Sequence, residues 1–274
     1  MSRSQAYWKN ALKIGLEEDG WQQDWTTLGA LSAQKHPILL AQLYAKESLI
    51  WSAEGLCVAL VELAREQKIE NFKITRVPKD GEEFAPGDLV AEWVGGAGFV
   101  LGTERVLINL ASYSCGISTM TKKIVQRAPG IKITPTRKTL PGYRELCVHA
   151  VIVGGGFPHN RSSLSSGVLI KENHIELAGG IPQAVVGARS VAPTGLKIEV
   201  EVKNTNELRQ ALEQKVDIVM LDNFKAEEIE HALGMVKKSN HRPVIEVSGG
   251  INESNLSHFV IEGVDMISLG ALTH

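Results

Sequence analysis

The second half of the chain alternates apolar runs with amphipathic stretches at regular spacing. Residues 196–202, 216–221, 243–247 and 264–268 read as strands. Between them, Asn204-Thr205-Asn206-Glu207 has the form of a capping box and opens a helical stretch through Glu213. Residues 226–238 and 253–262 also carry helical periodicity. Residues 132–135 and 167–170 extend the strand pattern backwards. Strands that alternate with helices of this length predict βαβ units and a parallel sheet. Several such units in succession favour an α/β barrel, complete or incomplete.

The first part reads differently. Up to about Thr103 it mixes amphipathic helices with short strands at 72–77 and 88–94. Pro86-Gly87 predicts a turn before the second strand, and Gly95-Gly96-Ala97-Gly98 predicts another. A helix carrying Arg105 then links this part to the next. The expected organisation is a smaller α+β domain over residues 1–112, followed by the α/β barrel domain over 113–274. There is no internal repeat beyond the βα units and no low-complexity stretch.

Composition narrows the class of partner. The chain has 274 residues, 43% apolar and 22% charged, which is ordinary for a soluble globular protein. No apolar run is long enough to span a bilayer. The opening Met1-Ser2-Arg3-Ser4-Gln5-Ala6-Tyr7-Trp8 lacks the apolar core of a signal peptide. Cys57, Cys115 and Cys147 have no metal-ligand spacing and read as reduced, buried thiols of a cytosolic protein. The formal net charge of -2 argues against nucleic acid as the main partner.

Against that near-neutral background, positive charge is concentrated between 136 and 174. Thr136-Arg137-Lys138-Thr139-Leu140-Pro141-Gly142 opens the block. Gly154-Gly155-Gly156 leads on to His159-Asn160-Arg161, and Lys171-Glu172-Asn173-His174 closes it. Surface arginines and lysines are most often only solvated. A local cationic cluster on a near-neutral protein, however, suits a small polyanion, because guanidinium grips carboxylate or phosphate bidentately and lysine adds a point charge. The glycine run is best read as the end of a helix that begins at Pro141.

The expected strands also place these groups. Arg137, Lys138 and Lys171 follow strands, Glu201 lies near the end of one, and Asp222, Ser248-Gly249-Gly250 and Gly270 follow others. In a parallel α/β barrel such positions gather at the C-terminal face, where active sites are built. In Ile198-Glu199-Val200-Glu201-Val202 the glutamates share one face, and the apolar residues share the face that meets the helices. The acids therefore point inward, where they need positive partners or a metal. Glycines after the last strands let backbone N–H groups approach an anion, so Ser248, Gly249, Gly250 and Gly270 are assigned to a phosphate, although each alone could be a plain turn residue.

The motifs as a set resemble the quinolinate phosphoribosyltransferase family, also called nicotinate-nucleotide pyrophosphorylase (carboxylating). Its TRKT-x-PG-x-R, GGG-x-NHR and L-x-K-[DE]-NH segments match residues 136–144, 154–161 and 169–174. The middle segment departs from the pattern. One extra residue precedes Arg161, and the order is His159-Asn160-Arg161. Glu17-Glu18-Asp19-Gly20 with Asp24-Trp25-Thr26-Thr27, Thr103-Glu104-Arg105, and Ser114-Cys115-Gly116-Ile117-Ser118-Thr119 also match in order. So do Glu199 to Val202, Met220 to Phe224, Glu246 to Ile251 and Leu269 to Thr273, so the resemblance spans nearly the whole chain. Members of the family usually continue beyond the segment matched by 269–273.

The resemblance implies an enzyme that joins quinolinate to phosphoribosyl pyrophosphate and releases pyrophosphate and carbon dioxide, giving nicotinate mononucleotide for NAD biosynthesis. It implies a cytoplasmic homodimer with no membrane or nucleic-acid partner. Arg137, Arg161 and Lys138, with Thr136 and His159, would hold quinolinate. Arg105 would reach it from the partner subunit, and Lys171 would contact a quinolinate carboxylate or the phosphoribosyl diphosphate. Glu201 and Asp222 would stabilise an electron-poor ribose and hold its hydroxyls or Mg²⁺. Asp222 could otherwise serve only as a helix N-cap. Glu201, Asp222, Lys138 and Lys171 form the expected catalytic set. Ser248, Gly249, Gly250 and Gly270 would take the ribose 5′-phosphate. Three other readings compete. They are a molybdenum-operon relative with Pro-His before its arginine, a Schiff-base lyase using Lys138 or Lys171, and a non-catalytic anion sensor, against which the acids Glu201 and Asp222 argue.

Overall fold

The computed structural model describes residues 3–32 and 37–273, so the first two residues of the stretch read for a signal peptide lie outside it. The chain forms two compact units. One comprises 1–120 with 141–154, and the other 121–140 with 155–274. The expected boundary at 112/113 is therefore displaced. It falls inside a continuous helix, α4 (Ala97–Arg127), and a short segment from the middle of the chain joins the first unit. Among the described residues no helix is long and apolar enough to cross a membrane.

The first unit is α+β. Helix α1 (Arg3–Asp19) and α2 (Trp25–Ala30) precede β1 (Ile38–Tyr44) and β2 (Leu49–Ile50). Helix α3 (Glu54–Glu66), β3 (Lys73–Arg76), β4 (Glu83–Phe84) and β5 (Leu89–Gly96) follow. β1, β5 and β3 form an antiparallel sheet in that order, and β2 pairs with β4. Trp8, Leu12 and Leu16 of α1 and Leu56, Leu60 and Leu63 of α3 are all buried. Each such side chain contributes roughly 1.5–3 kcal/mol by leaving water. Gly55 lets Trp8 seat there, because a Cβ at position 55 would lie 2.2 Å from the indole.

The turn expected at 95–98 does not form. Gly95 and Gly96 end β5, and Ala97 starts α4 directly. The hydroxyl-rich run of α4 has a structural use. Ser114 and Ser118 donate to the carbonyls of Ser52 and Ile50, at 2.8 and 2.7 Å, and Thr119 accepts from the Ile50 amide at 2.9 Å. These hydroxyls satisfy backbone groups of Ile50 and Ser52, at the end of the two-residue strand β2 and just beyond it. The segment 141–154 carries α5 (Arg144–Val153), which starts at Arg144 rather than Pro141 and ends, as expected, on the glycine run with Gly154 as its cap. Tyr7 donates to the Gly142 carbonyl, His149 Nε2 lies 2.9 Å from Asp80 Oδ2, and His149 meets Trp8 edge-on.

The second unit contains β6 (Lys132–Pro135), β7 (Val168–Ile170), α6 (Glu172–Ala178), α7 (Ile181–Val191) and β8 (Ile198–Val202). It continues with α8 (Thr205–Glu213), β9 (Ile218–Asp222), α9 (Ala226–Lys238), β10 (Val244–Ser248) and β11 (Met266–Leu269). The six strands form one wholly parallel sheet in the order β6-β11-β10-β9-β8-β7, with β6 and β7 at its edges. Asn204 caps α8 as expected, accepting from the amides of Asn206 and Glu207.

The helix expected over 253–262 is only a 3-10 turn at Leu256–Phe259. Asn252 opens this turn. Its Oδ1 accepts from the Ser254 amide and hydroxyl, and its amide donates to Asn255 Oδ1. These reciprocal bonds mark a helix start, but the chain leaves helical geometry at Val260, φ -81° and ψ 75°, so only one turn forms.

Parallel register assigns the two faces of the sheet. Val200, Val202, Val219, Leu221, Ile245, Val247, Ile267 and Leu269 share one face and are all fully buried. Buried side chains of α8 and α9, among them Leu208, Ala211, Ile229 and Ala232, supply the amphipathic stripe such a face needs. The opposite face carries Thr134, Glu199, Glu201, Asp222, Glu246, Ser248 and Ser268 among Met220 and Met266.

Candidate active site

The candidate groups sit at the C-terminal ends of the parallel strands. Thr136, Arg137 and Lys138 follow β6, and Lys171 follows β7 as the N-cap of α6. Glu201 is the penultimate residue of β8, Asp222 ends β9, Ser248 ends β10, and Gly270 follows β11. All lie in the second unit. Arg105 is exposed on α4 in the first unit.

Arg137 and Arg161 lie within electrostatic reach of each other. Arg161 is lowered from the ordinary arginine pKa, first by burial and then by the Arg137 charge, with Glu199 acting in the opposite sense. The Nε of each guanidinium is buried with no hydrogen-bond partner among the described residues. Two interacting cations with unspent donors suit an anion, since an unpaired buried donor costs about 1–3 kcal/mol. The turn after β6 is shaped locally, with the Lys138 amide donating to Thr136 Oγ1 and the Lys138 carbonyl accepting from Thr273 Oγ1 at 2.9 Å. Lys138 itself is exposed.

Lys171 forms an ion pair with Glu201. The neighbouring His174 is a capping residue, its Nδ1 accepting from the Lys171 amide at 3.0 Å. Asp222 Oδ2 accepts from Asn223 Nδ2. Asp222 does not cap α9; Lys225 holds that position, and its amide donates to Glu228. The helix-cap role of Asp222 is thereby removed.

The turn after β10 depends on glycine. Gly249 has φ +102°, and a Cβ there would lie 2.3 Å from Asn223 Oδ1 and 2.9 Å from the Asn223 amide nitrogen. Asn223 is itself left-handed at φ 58° and donates its amide to the Ser248 carbonyl. Gly250 follows at φ +61°. Gly249→Ala is expected to cost at least the roughly 1–3 kcal/mol of backbone strain, read as a lower urea midpoint at unchanged m.

Beneath the rim lies a buried polar layer that sequence reasoning only partly found. Glu199 and Glu246 are fully buried. His159 Nε2 lies 3.1 and 3.2 Å from the two Glu246 oxygens, and Asn160 Nδ2 donates to Glu199 Oε2 at 2.9 Å. Glu199 was legible as an inward acid needing a partner; Glu246 and Asn160 had no assigned role. Their signal was the acid two residues before Ser248 and the inserted polar pair before Arg161. Burial pushes Glu199 well above the usual carboxylate range, the Glu246 charge adds to this, and His159 and Asn160 oppose it. Burial acts to lower His159, but its hydrogen bond to Glu246 and the surrounding carboxylate charge outweigh that, and the net shift is upward.

The raised Glu199 has a sign for stability. The folded state keeps a proton that the unfolded chain loses near pH ~4.3, so stability falls as pH rises from there towards the folded value. Glu199→Gln cannot ionise yet keeps an oxygen for Asn160. Its melting temperature is expected to fall less than that of the wild type between pH 5 and 9.

The sequence and fold of known proteins agree with this arrangement. A family profile described as "Quinolinate phosphoribosyl transferase, C-terminal domain" matches residues 117–274. A probable nicotinate-nucleotide pyrophosphorylase (carboxylating) of Methanocaldococcus jannaschii is 46% identical over 211 residues, covering 74% of this chain and 73% of the relative. One from Synechocystis is 34% identical over 262 residues, covering 95% and 86%. The solved nicotinate-nucleotide pyrophosphorylase of Francisella tularensis superposes with a TM-score of 0.85 at 31% identity, covering 98% of this chain and 92% of that one. With the ordered motifs, the parallel sheet and the paired arginines in place, the chain belongs to the quinolinate phosphoribosyltransferase family.

Proposed function

We propose that this protein transfers the phosphoribosyl group of phosphoribosyl pyrophosphate to quinolinate, releasing pyrophosphate and carbon dioxide and yielding nicotinate mononucleotide. One observation carries the reading: Arg137, on the rim that also holds Glu201 and Asp222, lies within electrostatic reach of Arg161, and both guanidiniums have buried Nε donors without partners. Quinolinate carries two adjacent carboxylates. Two close guanidiniums, with Lys138 beside them, match that anion better than a monocarboxylate.

The other groups take roles that follow from their positions. Ser248, Gly249, Gly250 and Gly270 cradle the ribose 5′-phosphate through backbone N–H groups. Asp222 lies in register with Ser248 on the neighbouring strand, Glu201 is one strand further, and both stabilise the positive charge that develops on the ribose as pyrophosphate leaves. The pyridine nitrogen attacks C1′ from the side held by the arginines. Lys171, paired with Glu201, can exchange that partner for an incoming anion. Once the nitrogen is alkylated, the cationic ring accepts the electron pair left at carbon 2, so the site need only orient that carboxylate.

The carboxylate oxygens of Glu201 and Asp222 fit a hard divalent cation. Mg²⁺ there would neutralise pyrophosphate charge. A cytoplasmic homodimer belongs to the same reading, with the exposed Arg105 of one subunit available to its partner's quinolinate. A Schiff-base lyase fits less well, because Lys171 is ion-paired and Lys138 is exposed, whereas such chemistry needs a desolvated amine.

The test is pyrophosphate release from phosphoribosyl pyrophosphate and Mg²⁺, with quinolinate and nicotinate in parallel. Release with quinolinate alone is the expected result. Release with neither from folded protein would overturn the reading and favour a molybdenum-operon type relative, which Pro158-His159 also resembles.

A further inference from the structure

The segment that departs from the family pattern, His159-Asn160-Arg161, is tied into the interior of the sheet at two points. His159 Nε2 meets Glu246 of β10, and Asn160 Nδ2 meets Glu199 of β8. A third bond closes the turn, with the Arg161 amide donating to His159 Nδ1 at 3.0 Å. The turn also lies against Gly167, where a Cβ would come within 3.3 Å of the Asn160 carbonyl and 3.4 Å of Arg161 Cβ.

His159, Glu199 and Glu246 have ligand atoms within 4.8 Å of one another, a grouping that could hold a metal. The turn geometry argues against it. A ring nitrogen that accepts from a backbone N–H keeps its lone pair for that bond, so the proton of the neutral ring sits on Nε2. A metal-bound histidine does the reverse and donates its second N–H to an outer partner. Here Nε2–H is committed to Glu246.

We propose that His159 is a positioning residue: it couples the buried Glu246 to the Arg161 backbone and so aims the guanidinium at the substrate carboxylate, with Asn160 and Glu199 as a second tie. His159 itself need not touch substrate. This rests on the quinolinate reading above.

The experiment compares steady-state kinetics of wild type with His159→Phe, Glu246→Leu, Glu246→Gln and the double variant His159→Phe/Glu246→Leu. His159→Phe is expected to raise the quinolinate KM by about 10- to 100-fold, the scale of loss for an ångström-level misplacement of a binding group. The phosphoribosyl pyrophosphate KM should stay within about twofold, since the phosphate cradle is not part of the tie. Glu246→Gln keeps an acceptor for Nε2–H and should retain a lower quinolinate KM than Glu246→Leu. If His159→Phe does not fold because Glu246 is left unpaired, the double variant removes both polar partners and should show the same raised KM. Side-chain ¹⁵N spectra should show His159 as the Nε2–H tautomer. An active wild type whose folded variants keep the quinolinate KM, or raise both KM values together, overturns the positioning role alone. A wild type inactive on quinolinate overturns the functional reading, and the positioning role falls with it. A His159 ring protonated only on Nδ1 overturns the tie directly.

Discussion

Arg161→Ala is expected to lower kcat/KM for quinolinate by about 10²- to 10³-fold, equivalent to ~3–4 kcal/mol. The cause is specific. Arg161 and Arg137 repel each other in the free protein, and burial already opposes the Arg161 charge. A dicarboxylate offsets both effects at once, which favours its binding at this pair. Deleting Arg161 removes that repulsion together with the donor. The variant should therefore lose little stability without ligand but lose most of the thermal shift that quinolinate gives the wild type. Arg161→Lys should fall between the two, because an ammonium offers a point charge and no bidentate fork. An alanine variant that still shows the full quinolinate-induced shift would remove Arg161 from the clamp.

The second large effect is expected at Asp222. Asp222→Ala should lower kcat by about 10²- to 10³-fold, the range seen when one electrostatic stabiliser of a transition state is removed. The same substitution separates chemistry from architecture. Were Asp222 a helix cap, its loss would cost about 0.5–2 kcal/mol of stability. Lys225 and Glu228 already open α9, so the urea midpoint of Asp222→Ala should stay close to wild type while turnover collapses. A folded variant with normal kcat, or one destabilised by the cost of a lost cap, would return Asp222 to a structural role.

Much of the second unit was legible because its local signals agree with one another. Residues 226–238 form a helix with the expected bounds, since acids at its start, lysines at its end and an apolar stripe all point to the same element. Strand β6 likewise has its expected bounds. The expected helix at 253–262 has the apolar spacing and a capped start, but the chain leaves helical geometry at Val260 after a single turn. In the first unit, β1 reads Ile38-Leu39-Leu40-Ala41-Gln42-Leu43-Tyr44, apolar on both faces, so it lacks the alternation that marks a half-buried strand.

At the site, the rim residues were readable because they follow strands, whereas the layer beneath was only half readable. Glu199 announced itself by alternating with valines. Nothing near Glu246 in the chain pointed to His159, 87 residues away, because that pairing exists only once the sheet has formed. The unit boundary was hidden for a related reason: α4 runs through it without a break.

The segment 141–154 has a consequence for how this protein comes off the ribosome. Its helix α5 completes the first unit with Leu146, Cys147, Ala150 and Val151, all fully buried, yet it is synthesised after β6 of the second. The N-terminal unit cannot close when residue 120 emerges; it waits, with part of its core incomplete, until the chain has advanced past residue 154. Neither unit is a contiguous stretch, so no single cut releases a fragment with a finished interior. A polypeptide beginning at residue 121 would carry α5 with its apolar side open to solvent. The two halves are thereby committed to mature as one translation product.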